Sequence, residues 1–176
     1  GYLRSVADLY IRNSINRGYA IAVNQALKLS SNKYIAIANN DIRVSPNWQE
    51  IAVQTLNHPK VYSVHFRMTD YDAPCEYGKD TFLEGKERWC SSSFFVIRIH
   101  AKPYLYDESY LNSYEDWDMW HKVRMAGYKT AYTNRASYQH AHSSTQILIP
   151  ERIENDLKNK EYFKVKWGDY AENLFA

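Results

Sequence analysis

Apolar and polar positions along the chain alternate between a helical period and a strand period. Ala20, Ile21, Ala22, Val23, Ala26 and Leu27 form a short helical pattern after the turn Asn16-Arg17-Gly18. Asn16 supplies a capping oxygen there, and Gly18 a backbone angle that other residues avoid. Ser30-Ser31-Asn32-Lys33 breaks the pattern. Tyr34 to Ala38 is a continuous apolar run of strand length, which predicts a strand buried on both faces, and it stops abruptly at Asn39-Asn40-Asp41. Ser45-Pro46-Asn47-Trp48 reads as a helix start, with Ser45 as cap and Pro46 in the first helical position. Trp48, Ile51, Ala52, Thr55 and Leu56 keep helical spacing up to His58-Pro59, and Val61 to Met68 then alternates as a strand.

Residues 69–89 are polar and turn-rich with no clear period, and a loop of that length in a compact domain is often functional. Cys90 to Ile99 reads as a strand, Tyr114 to Ala126 as a helix closed by Gly127, and 128–133 and 136–142 as two strand-like stretches. Strands alternating with helices predict an α/β fold whose central sheet is mostly parallel and flanked by helices. Residues 1–176 form one domain on this pattern, and 150–176 form a charged C-terminal helical tail carrying Tyr162-Phe163 and Trp167-Gly168.

Composition adds exclusions more than assignments. Hydrophobic residues make up 45% and charged residues 24% of 176, an ordinary globular balance. The longest apolar runs are too short to span a bilayer, and no basic-then-apolar leader opens the chain. A net charge of +2 with both signs interspersed gives no broad basic face, so nucleic acid is not an expected partner. Cys75 and Cys90 make no disulfide framework and no metal-binding spacing, which suits a reducing, cytoplasmic location. Aromatic content is high, at 15% with 16 Tyr and 5 Trp. Such rings fill cores and also stack on sugars, so composition leaves both uses open.

Three clusters hold candidate chemistry. Asn39-Asn40-Asp41 follows a strand, where ligand sites of open α/β sheets collect, and a carboxylate there suits a hard divalent cation; the same triplet also simply makes a turn. Glu115, Asp116 and Asp118 open a helix, where they complement its dipole. Equally, one of them is placed to act as a general base, and the adjacent like charges of Glu115 and Asp116 raise each other's proton affinity. His140 and His142 point the same way off a strand. No third His or Cys stands at ligand spacing, so a zinc cage is not expected. One imidazole completing a shell begun by Asp41 and an ordinary hydrogen-bonded histidine both remain open.

Taken in order, the segments resemble family 2 glycosyltransferases of the GT-A fold. Arg12 to Ala20 with Ala22 to Ala26, Tyr34 to Asp41 with Val44 to Trp48, and Tyr106-Asp107-Glu108 with Glu115 to Asp118 and Ala126-Gly127-Tyr128 carry the resemblance. Phe163 to Gly168 is similar to a tail often seen in these enzymes. The resemblance implies sugar transfer from a nucleotide-diphosphate donor, a UDP-sugar foremost, to a glycan hydroxyl, inverting and metal-dependent, in polysaccharide biosynthesis. On it, Asp41 would bind Mn²⁺ or Mg²⁺, with His140 or His142 as a late ligand. Asp116 would be the base and Glu115 would position the base or the acceptor. Asn16, Gly18, Asn24, Asn39, Trp89, Ser92 and Trp117 would line the donor and acceptor sites, with Trp89 to Ser93 as floor. Asn39 stands where the family's metal motif has Asp, which leaves more of the task to Asp41.

The family's opening strand–helix–strand unit, which holds base and ribose, has no counterpart here. The expectation is an N-terminally incomplete domain, its missing unit lost, supplied by another segment or chain, or lying outside this sequence, that binds a nucleotide sugar poorly by itself. The alternatives are a non-catalytic carbohydrate-binding remnant and a metal-dependent phosphohydrolase, the latter marked by phosphate release without an acceptor.

Overall fold

A computed structural model describes residues 5–69, 80–83, 92–99, 105–141 and 151–171. In chain order the elements are α1 (Gly18–Leu29), β1 (Tyr34–Ala38), β2 (Ile42–Val44), α2 (Trp48–Leu56), β3 (Val61–Met68), β4 (Asp80–Leu83), β5 (Phe94–Arg98), α3 (Glu115–Met125), β6 (Lys129–His140) and α4 (Arg152–Trp167). Among the described residues no helix is long and apolar enough to cross a membrane.

The six strands form one sheet in the order β1-β5-β3-β6-β2, with β4 also paired to β6. Only β3 and β6 are parallel neighbours; every other pairing is antiparallel. The sheet is therefore mixed, not mostly parallel as the alternation of elements suggested. β1, β3 and β6 do run the same way, but β5 enters between β1 and β3 in the opposite sense. The short β2 and β4 then share the other side of β6, meeting it at Val44↔Tyr138 and Asp80↔Thr133. An apolar run records burial of a strand's faces and carries no information about a neighbour's direction.

Burial corrects two further expectations. Tyr34 to Ala38 stands at the end of the described sheet and is only partly buried, whereas Val61 to Phe66, at the centre, is buried at every position. The stretches expected at 128–133 and 136–142 are one twelve-residue strand. Opposite β3 its register jumps from Phe66↔Thr133 to Arg67↔Ser137, so residues 134–136 bulge and interrupt the alternation.

β5 shows how the sheet divides two helical layers. Phe94 and Val96 face a core with Ala52 and Leu56 of α2, while Phe95 and Ile97 face Ala20 and Leu27 of α1 and Met119 and Val123 of α3. A third cluster, Tyr110, Phe163 and Ala171 with Trp117 and Trp167 against it, lies under α4. Many of the described rings serve these cores: Trp48 sits edge-on to Phe94 at 5.1 Å, and Phe66 stacks on Phe94 at 4.7 Å.

The helix starts are set by local turns together with contacts from distant parts of the chain. Ser45 does not cap α2; Asn47, in left-handed backbone, precedes it. Ser45 instead donates its amide to the Ser137 carbonyl at 2.9 Å and accepts the Ser137 amide on Oγ at 3.0 Å, pinning the lead-in of α2 to β6. At α1, Asn16 Oδ1 accepts the Gly18 amide at 2.9 Å, and Gly18 has φ +79°. The next amide, Tyr19, donates to Asn112 Oδ1 at 3.1 Å. A Cβ on Gly18 would lie 3.0 Å from Leu111 Cδ1. Gly18→Ala therefore combines left-handed strain with a contact against the segment before α3. It is expected to destabilise the fold by about 1–2 kcal/mol in urea titration.

Candidate active site

Because β1, β3 and β6 are co-directional, their carboxyl ends share one edge of the sheet with the start of the reversed β5. That edge gathers Asn39, Asp41, Ser92, Ser93 and His140. The Asn39 amide donates to the Ser93 carbonyl at 2.8 Å, and the Ala141 amide donates to the Asp41 carbonyl at 3.0 Å. The pairing Ile42↔His140 thus brings the two ends of the sequence's first and last candidates together. His140 Nε2 lies 3.1 Å from Asp41 Oδ1 and 3.4 Å from Asn39 Nδ2, and its Nδ1 lies 3.4 Å from Ser93 Oγ.

This donor set fits a divalent cation. In the His140 tautomer with Nδ1–H directed at Ser93, Nε2 presents a lone pair toward the Asp41 carboxylate; in the other, Nε2–H donates to Asp41 and the Ser93 hydroxyl donates to Nδ1. Two lone pairs 3.1 Å apart are stable together only around a shared proton or cation. Ligands at right angles on a Mg²⁺-sized ion are about 3.0 Å apart, given bond lengths of about 2.1 Å. Both side chains keep some exposed surface, 26% for Asp41 and 11% for His140, while the Asp41 Oδ1 that faces His140 is buried. Among the described residues no group of three or more His, Cys, Asp or Glu forms a fuller metal site. A cation here would take its remaining ligands from water and phosphate, as Mg²⁺ commonly does.

The second half of the site lies across Ser92. Tyr19, at the start of α1, donates its hydroxyl to the Ser92 carbonyl at 2.8 Å and packs edge-on to Tyr106 at 5.7 Å. Asn24 is 1% exposed and grips Tyr106 on both sides: its Nδ2 donates to the Tyr106 carbonyl and its Oδ1 accepts the Tyr106 amide, each at 2.9 Å. Asn24 Nδ2 also reaches Glu108 Oε1 at 3.0 Å. Against this wall sit Glu115 and Asp116 in the first turn of α3.

Burial, then the charge of Asp116, pushes the Glu115 carboxyl well above the usual carboxylate range. Burial raises Asp116 as well, and the Trp117 amide, which donates to Asp116 Oδ1 at 2.8 Å, and the Ser92 side chain lower it again in part. Glu115 is buried, and Asp116 is half-buried. Burial raises the phenols of Tyr19 and Tyr106 too, so both remain protonated donors. Contacts run from Asp41 through His140 to Ser93, and the preceding residue, Ser92, influences the Asp116 carboxyl.

The other expected site residues have varied surroundings. Asn16 and Gly18 shape the turn before Tyr19, and Asn24 is a buried clamp. Trp117 packs on Tyr114 and Phe163 toward the tail. Trp89 and His142 lie outside the described residues. Asp118, grouped in the sequence with Glu115 and Asp116, has no exposed surface and is fully engaged by Trp167 Nε1 at 2.9 Å, Lys122 at 2.5 Å and Lys166 at 2.6 Å. Tyr19 and Asn112 were not singled out from sequence. Their place beside Gly18 and Ser113 gave no periodic signal, and only the approach of the α1 and α3 starts reveals them.

The sequence profile of Glycosyl transferase family 2 matches residues 9–113, more than half of the chain. The chain belongs to glycosyl transferase family 2. Comparison with curated protein sequences gives no match. A glycosyltransferase-type function follows from the family, which implies a nucleotide-sugar donor and an acceptor. The matched span contains Asn39, Asp41, Ser92 and Ser93 of this family 2 domain, and ends just before α3 and β6, which carry Asp116 and His140.

The raised carboxyl pair has a consequence for stability. A carboxyl whose proton is held more tightly in the folded than in the unfolded chain destabilises the fold once it ionises, that is, as pH rises through its raised range. Below about pH 4 both states are protonated and the effect vanishes. Glu115→Gln is therefore expected to stabilise the domain by about 1–3 kcal/mol at pH 9 and by almost nothing at pH 4, measured by urea unfolding.

Proposed function

We propose that the domain transfers a sugar from a nucleotide-diphosphate donor to a glycan hydroxyl with inversion, using Asp116 as the base and the Asp41–His140 pair as the cation site. The observation that carries this reading is the position of the two acidic groups, which flank one dipeptide, Ser92-Ser93, at the ligand-binding edge of the sheet. Asp116 is also the less buried residue of a pair whose burial raises proton affinity, as a base working near neutral pH requires.

In the transfer, Asp116 accepts the proton of the acceptor hydroxyl. The freed oxygen attacks the anomeric carbon from the side opposite the diphosphate. A new glycosidic C–O bond forms as the bond to the diphosphate oxygen breaks, and the nucleoside diphosphate leaves with that electron pair. Buried Glu115, adjacent in the chain, holds its own proton well above the usual carboxylate range, because of burial and then the charge of Asp116. A Mn²⁺ or Mg²⁺ ion held by Asp41 and His140 would neutralise charge on the leaving diphosphate. Tyr19 and the buried Tyr106 form a wall beside the base, Tyr19 with its hydroxyl bonded to the Ser92 carbonyl.

Assay of UDP release from a panel of UDP-sugars, with Mn²⁺ and glycan acceptors, tests this reading. Asp116→Asn is expected to lower turnover by about 10²–10⁴-fold with the fold intact by circular dichroism; full activity in that variant would refute the assignment. Turnover in the unaltered chain should fall as pH drops through the raised range of the carboxyl pair, above the ordinary value of about 4. Asp41→Asn should raise the Mn²⁺ concentration giving half-maximal rate by about 10-fold or more.

A further inference from the structure

Lys166, in the last turn of α4, stands between two carboxylates from separate parts of the chain. Its ammonium contacts Asp107 Oδ2 and lies 2.6 Å from Asp118 Oδ1. Asp107 also accepts the Tyr162 hydroxyl at 3.0 Å and the Ser109 amide at 2.9 Å. The rings of Tyr110, Tyr162 and Trp167 surround the ammonium at 5.5–5.6 Å. Its bridging position, partly shielded from water, makes the charge effective over a longer range than that of an exposed lysine. The Asp107 carboxyl is accordingly held far below its usual range, chiefly by Lys166 against the cost of burial.

The two carboxylates flank the candidate active site. Asp107 directly follows Tyr106, the wall residue packed on Tyr19, and Asp118 stands two residues beyond Asp116 in the same helical turn. A second grip lies one face along α4. Asn159 donates to the carbonyls of Leu111 and Ser113 at 3.0 and 3.1 Å and to Ser113 Oγ at 2.8 Å, holding the segment that leads into α3. Yet α4 buries only Asn159 and Phe163 along sixteen residues. Its docking is thus unusually polar, and its polar contacts converge on the two segments that frame Asp116.

We infer that Lys166 is a positioning residue for Asp116, and that α4 fixes the base and its wall without touching substrate. The inference rests on Asp116 being the base. Two effects follow. Mechanically, Lys166 ties the Tyr106 segment to the first turn of α3. Electrostatically, its positive charge offsets Asp107 and Asp118, so that their charges add little at Asp116, which is faced by Glu115 of its own turn and by the hydroxyls of Tyr19, Tyr106 and Ser92; Lys122 shares in neutralising Asp118.

The test is a ¹³C carboxyl NMR titration of Asp116 in the full chain, alongside the UDP-sugar assay. In Lys166→Met, Asp116 should titrate higher by about half a unit or more. Turnover at saturating donor should fall by about 10-fold, with donor KM changed by less than about twofold. Lys166→Arg, which keeps the charge, should restore both. A folded Lys166→Met with unchanged Asp116 titration and unchanged turnover would overturn the inference. If that variant does not fold, Lys166→Gln, which removes the charge but keeps a polar side chain, serves instead: an upward shift supports the inference, and an unmoved Asp116 with unchanged turnover overturns it. An active Asp116→Asn would remove the catalytic reading while leaving the titration shift of Asp116 in place, so the two claims fail separately.

Discussion

The Ser92-Ser93 junction is the contact on which the rest of the site depends. Its two carbonyls accept from opposite directions, Ser93 from the Asn39 amide and Ser92 from the Tyr19 hydroxyl. The first bond fixes the turn that carries Asp41 to the start of β5. The second fixes the start of α1, and through Asn112 the lead-in to α3, to the same point. The junction can do this because β5 runs against β1, so that the beginning of one strand meets the end of the other. A parallel neighbour at that position would bring its far end to this edge and leave the two carboxylates without a common support.

The site also carries its own destabilisation. Two adjacent carboxyls are held where burial opposes their charge, and one of them has almost no access to water. Such a pair persists only where surrounding structure over-determines it. Here the surroundings are specific: the Asn24 clamp on Tyr106, the fully engaged Asp118, and the polar docking of α4. Their bonds are directional, so they fix positions, whereas the apolar layers on either side of the sheet supply most of the gain in free energy.

Much of the fold was legible in the sequence, because helical spacing and capping act locally. The helices at Gly18–Leu29, Trp48–Leu56 and Glu115–Met125 lie where the apolar spacing predicts, and Gly18 and Gly127, at φ +79° and +82°, take the angles their places demand. The sense of β5, the short β2 and β4, and the bulge at 134–136 were not legible. Each is decided by a partner far away in the chain, and none alters the local alternation. Ser45 shows the same limit. Its sequence suits a cap, but a strand ninety-two positions onward takes both its polar groups. At the site, the residue types at 39–41, 115–116 and 140 signalled chemistry, whereas their supports, Tyr19, Asn112 and Asn159, carry no local mark. Aromatic richness, ambiguous in composition, resolves in the described residues largely into core packing and the wall formed by Tyr19 and Tyr106.

The central claim is that one opening holds a cation at Asp41 and His140 and a proton acceptor at Asp116. A crystal structure with Mn²⁺ and UDP tests it most directly. The account predicts the metal on Asp41 and His140, bridged to the diphosphate, with the Asp116 carboxylate facing the space beyond the terminal phosphate. Metal and nucleotide bound elsewhere, or an Asp116 turned away from that space, would contradict it.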